Sequence, residues 1–165
     1  EGRMRSLYYL ATVIGTYREI IDRYYNHTLT EDVLEVLEER LARVANRAVS
    51  THYLLKEADW EDQYYTGRNE ASNQDYLAQV ISYDKKKKLI MFFERNYFEV
   101  GDLLEVFTPK GERVSFVVRK LYDEDGNLLD VARHPDNIYY LYLDTSIDIV
   151  EYSMIRLFHH KKEEE

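Results

Sequence analysis

Cysteine is missing altogether from these 165 residues. That excludes disulfides, thiolate-held metals and a cysteine nucleophile within the chain. Also missing is any apolar run near the roughly 20 residues that a membrane-spanning helix needs, so no membrane partner is expected. No Gly-x-Ser-x-Gly signposts a serine nucleophile, and no His-Glu-x-x-His places a metal pair. Basic charge is in deficit: 22 Lys and Arg stand against 31 Asp and Glu, a net charge of −9. A field of that sign repels phosphate backbones, so only a local basic patch could serve nucleic acid. The first residue is Glu and not Met. The opening Glu1-Gly2-Arg3-Met4-Arg5-Ser6 reads as a loop running straight into a helix. The expectation is a cytoplasmic chain whose residues 1–45 close a catalytic domain lying upstream.

What is present is enough for a core. The chain is 45% hydrophobic and 14% aromatic, with 16 tyrosines. Tyrosine favours strands, and surfaces where one edge stays wet.

From about Arg5 to Tyr25 the pattern is helical. Leu7, Leu10, Ile14, Tyr17, Ile21 and Tyr24 recur at spacings of three and four and form one stripe, widened by Tyr8, Ala11 and Tyr25. This stripe is either a face of the domain's own core or a face that packs on an upstream domain. Asn26-His27-Thr28 breaks the pattern. Thr28 with Glu31 has capping-box spacing, and Thr30 competes as the cap. A second helix runs to about Ala45 with Leu34, Leu37, Leu41 and Val44 as its seam, and with Glu35, Glu38, Glu39 and Arg40 facing water.

Residues 46–74 show no sustained period and read as a long connector tacked down by aromatics. From Tyr76 the period becomes two. Strands are expected over Tyr76–Tyr83, Leu89–Arg95, Leu103–Thr108, Val114–Arg119, Leu128–Val131, Ile138–Asp144 and Met154–Phe158. Turns fall at Asp84-Lys85-Lys86-Lys87, Pro109-Lys110-Gly111-Glu112 and Asp123-Glu124-Asp125-Gly126-Asn127. Short strands at this spacing predict a small antiparallel β-barrel over 75–160. Residues 161–165 read as a disordered tail. The fold class is α+β: an N-terminal helical hairpin and connector, then the barrel.

Few groupings point to chemistry. Asp123-Glu124-Asp125-Gly126 fails as a calcium loop on spacing, since glycine falls fourth and Arg133 stands at position twelve. Lys85 to Lys88 is a basic run at a hairpin tip, either a solvated turn or a phosphate contact. His27, His52, His134, His159 and His160 have no paired metal spacing. His134, in Val131-Ala132-Arg133-His134-Pro135, is either a pH-sensitive hydrogen-bonding group or a turn cap. No catalytic and no metal residues are assigned.

Several separated stretches resemble the C-terminal part of peptidase family U32, the collagenase-like peptidases. They are Glu1 to Ser6 with Tyr8-Tyr9-Leu10-Ala11-Thr12-Val13; Tyr17-Arg18-Glu19-Ile20-Ile21-Asp22; Val100-Gly101-Asp102-Leu103-Leu104-Glu105-Val106 with Pro109-Lys110-Gly111; Tyr122-Asp123-Glu124-Asp125-Gly126; and Asp130-Val131-Ala132-Arg133-His134-Pro135. Their order and spacing match along nearly the whole chain. There are departures: Asn46 to Tyr53 lacks a usual proline and Thr-Gly pair, and Arg133 replaces a usual proline.

The resemblance implies an upstream α/β barrel-like catalytic domain in the same polypeptide, and a C-terminal barrel similar to those of translation factors. It implies a non-catalytic accessory role, binding or positioning a protein, collagen-like peptide or tRNA substrate. The alternative is a structural or homodimer-forming module of an RNA hydroxylation protein. On this basis Arg3, Arg47, His52, Arg133 and His134 are candidate substrate-binding residues. The resemblance also implies an iron–sulfur cluster on upstream cysteines of the parent. With no cysteine of its own, this chain offers such a cluster no thiolate, and no cofactor is expected in it.

Overall fold

The computed structural model describes residues 6–44, 75–135 and 137–158. Of the expected site residues, Arg3, Arg47 and His52 lie outside these, as do the connector 46–74 and the tail 161–165. The chain divides into two compact units, Glu1–Asn73 and Gln74–Glu165.

The first unit contains α1 (Leu7–Tyr25) and α2 (Glu31–Ala42). Ser6 caps α1, its Oγ accepting from the Tyr9 N–H at 3.1 Å. The competition between threonines resolves to Thr30, which accepts from the Val33 N–H at 3.4 Å and caps α2. Thr28 instead donates to the Arg23 carbonyl at the end of α1. Acids in the first turn of α2, Glu31 and Asp32, complement the helix dipole. Leu37 and Val44 are buried as the seam requires. Arg40 departs from expectation: it turns to α1, where Nη1 lies 2.6 Å from Glu19 Oε2, and does not face water. Glu19 also pairs with Arg23 at 2.9 Å.

The apolar stripe of α1 faces outward. Leu7, Ile14, Tyr17, Ile21 and Tyr24 are exposed, whereas Tyr8, Thr12 and Thr16 are buried. The reading of this stripe as part of the domain's own core is therefore corrected, and Tyr8 belongs to the opposite face.

The second unit is a curled antiparallel sheet, a half-barrel. Its strands are β1 (Tyr76–Asp84), β2 (Leu89–Glu94), β3 (Phe98–Glu99), β4 (Leu103–Phe107), β5 (Arg113–Val117), β6 (Leu121–Tyr122), β7 (Leu128–Leu129), β8 (Val131–Ala132), β9 (Ile138–Tyr142) and β10 (Met154–Leu157). Eight form one sheet in the order β5-β4-β10-β1-β2-β9-β6-β7, and β3 pairs with β8 as a separate ribbon. Alternation explains the inward faces: Ile90, Phe92 and Glu94 of β2, and Leu104 and Val106 of β4, are buried while their neighbours are not. Leu77, Ile90, Leu104, Leu121, Leu141 and Ile155 share one core cluster although their strands are dispersed across the sheet. A flat sheet could not bring them together, so the sheet curls. Register slips between Tyr76 and Ala78 and between Val80 and Ser82 in β1 provide bends.

Three local contacts tie neighbouring strands and turns together. The Arg156 guanidinium is buried, with Nε 2.7 Å and Nη2 2.5 Å from Glu105 Oε2, and lies 4.7 Å over the Phe107 ring. The Tyr83 hydroxyl donates to the Leu143 carbonyl at 2.9 Å. The Asp123 turn closes on Asn127, whose N–H and Nδ2 donate to the carboxylate at 2.8 and 2.9 Å. These bonds hold the Asp123 carboxyl below its ordinary pKa, the Asn127 side chain acting most strongly. Gly126 takes φ +82°, which the turn requires. The hairpin reading of this acidic loop thus holds.

Candidate functional site

The stretches Val100-Gly101-Asp102 and Asp130 to Pro135, thirty residues apart, meet at the β3–β8 ribbon. Phe98 and Glu99 pair with Ala132 and Val131. The Val100 N–H donates to the Asp130 carbonyl at 2.8 Å. Gly101, at φ +104°, makes the turn in which its own N–H reaches the Val118 carbonyl at 2.9 Å. Phe98 anchors this ribbon: it is fully buried, with its ring centroid 5.7 Å from that of Phe92.

Around the ribbon lie Tyr97, Glu99, Asp102 and Arg133. The Tyr97 ring is exposed, and its hydroxyl donates to Glu99 Oε2 at 2.7 Å. That bond raises the phenol pKa, and the positive charge of Arg133 works the other way. Asp102 Oδ2 accepts from the Glu99 N–H at 2.8 Å and locks the turn.

His134 sits on the exposed connection from β8 to β9. Its carbonyl accepts from the Asn137 N–H at 3.2 Å, and the Asn137 carbonyl accepts from the Glu94 N–H at 3.2 Å. The main chain of His134 thus builds a turn, and the residue is exposed.

Sequence reasoning missed Tyr97 and Glu94. Glu94 is fully buried on the same strand face as Ile90 and Phe92, and neither carboxylate oxygen has a hydrogen-bond partner. Burial raises its pKa; nearby His134, whose main-chain N–H makes no hydrogen bond of ordinary geometry to the carboxylate, opposes this without overcoming it. The signal was available, because continuing the alternation from Ile90 and Phe92 places position 94 inside. Tyr97 had no periodic signal, lying in the irregular link before a two-residue strand.

The lysine run is largely committed to structure. Asp84 accepts from the Lys86 and Lys87 N–H groups at 2.9 and 3.0 Å, building the turn. Lys85 Nζ lies 2.8 Å from Asp148, which Lys110 approaches at 3.7 Å, and Lys88 pairs with Asp144. These contacts favour the turn reading over the phosphate reading. Among the described residues no acid or histidine cluster could hold a metal ion, and no helix is long and apolar enough to cross a membrane.

A curled sheet that closes its own core and carries a cluster of exposed side chains at one end defines a small C-terminal barrel domain. The chain belongs to peptidase family U32. Residues 72–156 match the Peptidase family U32 C-terminal domain, and residues 1–64 match Peptidase family U32. The chain is similar to tRNA hydroxylation protein P1 of Bacillus subtilis, 34% identical over 151 residues, covering 89% of this chain and 35% of the relative. It is 30% identical over 112 residues to a collagenase of Porphyromonas gingivalis, covering 66% of this chain and 30% of the relative. Among solved structures, the C-terminal domain of a U32 peptidase from Geobacillus thermoleovorans is 32% identical, covering 54% of this chain and 98% of that one, with a TM-score of 0.49. The chain thus spans about a third of the length of the curated relatives it matches.

Proposed function

We propose that this chain is the non-catalytic accessory part of a U32 tRNA hydroxylation protein, and that the barrel end bearing Tyr97, Arg133 and His134 positions tRNA for chemistry carried out elsewhere in the polypeptide. One observation carries the reading. Two family-matching segments, far apart in sequence, are hydrogen-bonded into one ribbon; exposed Tyr97 directly precedes its first strand, and exposed Arg133 and His134 directly follow its second. An aromatic face stacks an unpaired base without regard to its identity, and an arginine contacts the phosphate beside it. The 34% identity to a tRNA hydroxylation protein supports RNA as the ligand. The overall acidity disfavours such contact over the surface at large.

A collagen-like peptide is the second reading, supported by the similarity to a collagenase over 66% of the chain. Fluorescence anisotropy with tRNA and with a collagen-like triple-helical peptide, at matched salt, distinguishes the two. Tyr97→Ala is expected to weaken tRNA binding by about 1–3 kcal/mol, as loss of a stacked base does. Arg133→Ala should reduce the slope of log affinity against log salt by about one. Unchanged tRNA affinity in both variants would refute the site. Selective peptide binding would move the assignment to the second reading.

A further inference from the structure

Helix α1 carries its apolar stripe on the outside. Leu7, Ile14, Tyr17, Ile21 and Tyr24 are between 44% and 67% exposed, while Tyr8, Thr12 and Thr16 are buried. At about 100° per residue the two stripes lie roughly 170° apart, on opposite faces of the helix. The buried face is the poorer one, since the Thr12 and Thr16 hydroxyls have no hydrogen-bond partner. A helix whose apolar face meets water has lost the burial that normally makes it stable.

The two units contrast in the same sense. The barrel unit owns a sixteen-residue buried core drawn entirely from residues 77–155. Among the described residues of the first unit, the buried hydrophobics are Tyr8, Leu37 and Val44. The described helix pair thus holds little apolar core of its own. Residues 1–64 match Peptidase family U32 and not its C-terminal domain, and the chain covers 35% of the Bacillus relative.

We propose that the outer face of α1, from Leu7 to Tyr24, is the docking seam for the remainder of a U32 domain, carried in the relatives by the length this chain does not match. The rim fits that role. Arg18 and Asp22, which border the stripe, pair with each other across one helical turn and present no net charge to a partner. An apolar centre with a neutralised polar rim is the anatomy of a permanent interface. The proposal rests on family membership and not on the tRNA reading, so failure of tRNA binding leaves it standing.

The test joins this chain to the part of the Bacillus subtilis relative lying outside the matched stretch. Hydroxyl-radical labelling of Tyr17 and Tyr24 is then compared between the fusion and the 165-residue chain alone. Both tyrosines should label freely in the chain alone and be protected several-fold in the fusion. Ile14→Asp with Ile21→Asp should abolish that protection, yet leave the melting of the chain alone unchanged, because both positions face water there. Equal labelling of Tyr17 and Tyr24 in fusion and free chain overturns the proposal. So does a free chain that sediments as a dimer with these tyrosines already protected, since a second copy would then own the face.

Discussion

Replacing Glu94 by glutamine should flatten the dependence of barrel stability on pH. The side chain is fully buried, on the strand face that also bears Ile90 and Phe92, and its two oxygens lack partners. Burying an unpartnered polar group costs about 1–3 kcal/mol, and more when it is charged. The fold therefore prefers the neutral acid, and the folded pKa lies above that of the unfolded chain. The sign follows. Below the ordinary glutamate range both states are protonated and the carboxylate imposes no charge penalty. As pH rises, the unfolded chain ionises first, so stability falls until the folded acid has ionised too, then levels. Each unit by which burial raises the pKa corresponds to about 1.4 kcal/mol of this loss.

The assay is amide hydrogen exchange in β2 and β9, which reports the barrel unit by itself, followed from about pH 4 to 8 across the titration range of buried carboxyls and imidazoles. Other carboxylates also titrate, and Asp84, Asp123 and Asp148 have lowered pKa values, so their contribution is lost as pH falls. The difference between wild type and Glu94→Gln isolates the one opposite term. Glu94→Met, which removes the buried carboxyl while keeping an unbranched side chain, should stabilise the barrel by about 1–3 kcal/mol at neutral pH. If wild type and Glu94→Gln lose stability in parallel as pH rises, or if Glu94→Met is destabilising at neutral pH, the assignment of Glu94 as a buried neutral acid is wrong.

Two further outcomes follow from the packing. Arg156→Met should cost the barrel about 3–5 kcal/mol, because it leaves the Glu105 carboxylate inside without its cation; urea denaturation of the single variant and of the double variant Arg156→Met/Glu105→Leu checks this, and the double should recover much of the loss. Gly126→Ala should cost about 1 kcal/mol from its left-handed backbone alone, since a Cβ there meets no atom within 4 Å; a thermal shift no larger than that of an exposed-strand control would refute the backbone cause.

Much of the fold was legible because the signals are local. The spacing of Leu7, Leu10, Ile14 and Tyr17 specifies a helix whatever lies beside it. The alternation in Tyr76–Asp84 and Leu89–Glu94, with a turn between, specifies a hairpin, and Pro109-Lys110-Gly111 and Asp125-Gly126-Asn127 mark turns through φ preferences of single residues. The strands β3, β6 and β8 were not legible. At two residues each they span a single period of strand alternation, too little to repeat, and they exist only because partners arrive from elsewhere in the chain. The expected strand Leu128–Val131 accordingly divides between β7 in the large sheet and β8 in the ribbon.

The candidate site divides along the same line. Sequence supplied Arg133 and His134 as members of a segment. It could not bring the segment before Phe98 to the same ribbon as Arg133, because that depends on the pairing of residues 98–99 with 131–132. The buried state of Glu94 was implied by alternation, but its lack of a partner depends on what the curl of the sheet brings near.

By itself, then, the sequence determined element types, turn positions and the membership of an apolar stripe, all of which are set by backbone sterics and side-chain period within a few residues. Tertiary structure decided which way each face looks. A helix carries the same stripe whether it is buried or wet, and only the elements packed against α1 turn Thr12 and Thr16 inward and leave Ile14 and Tyr17 facing water.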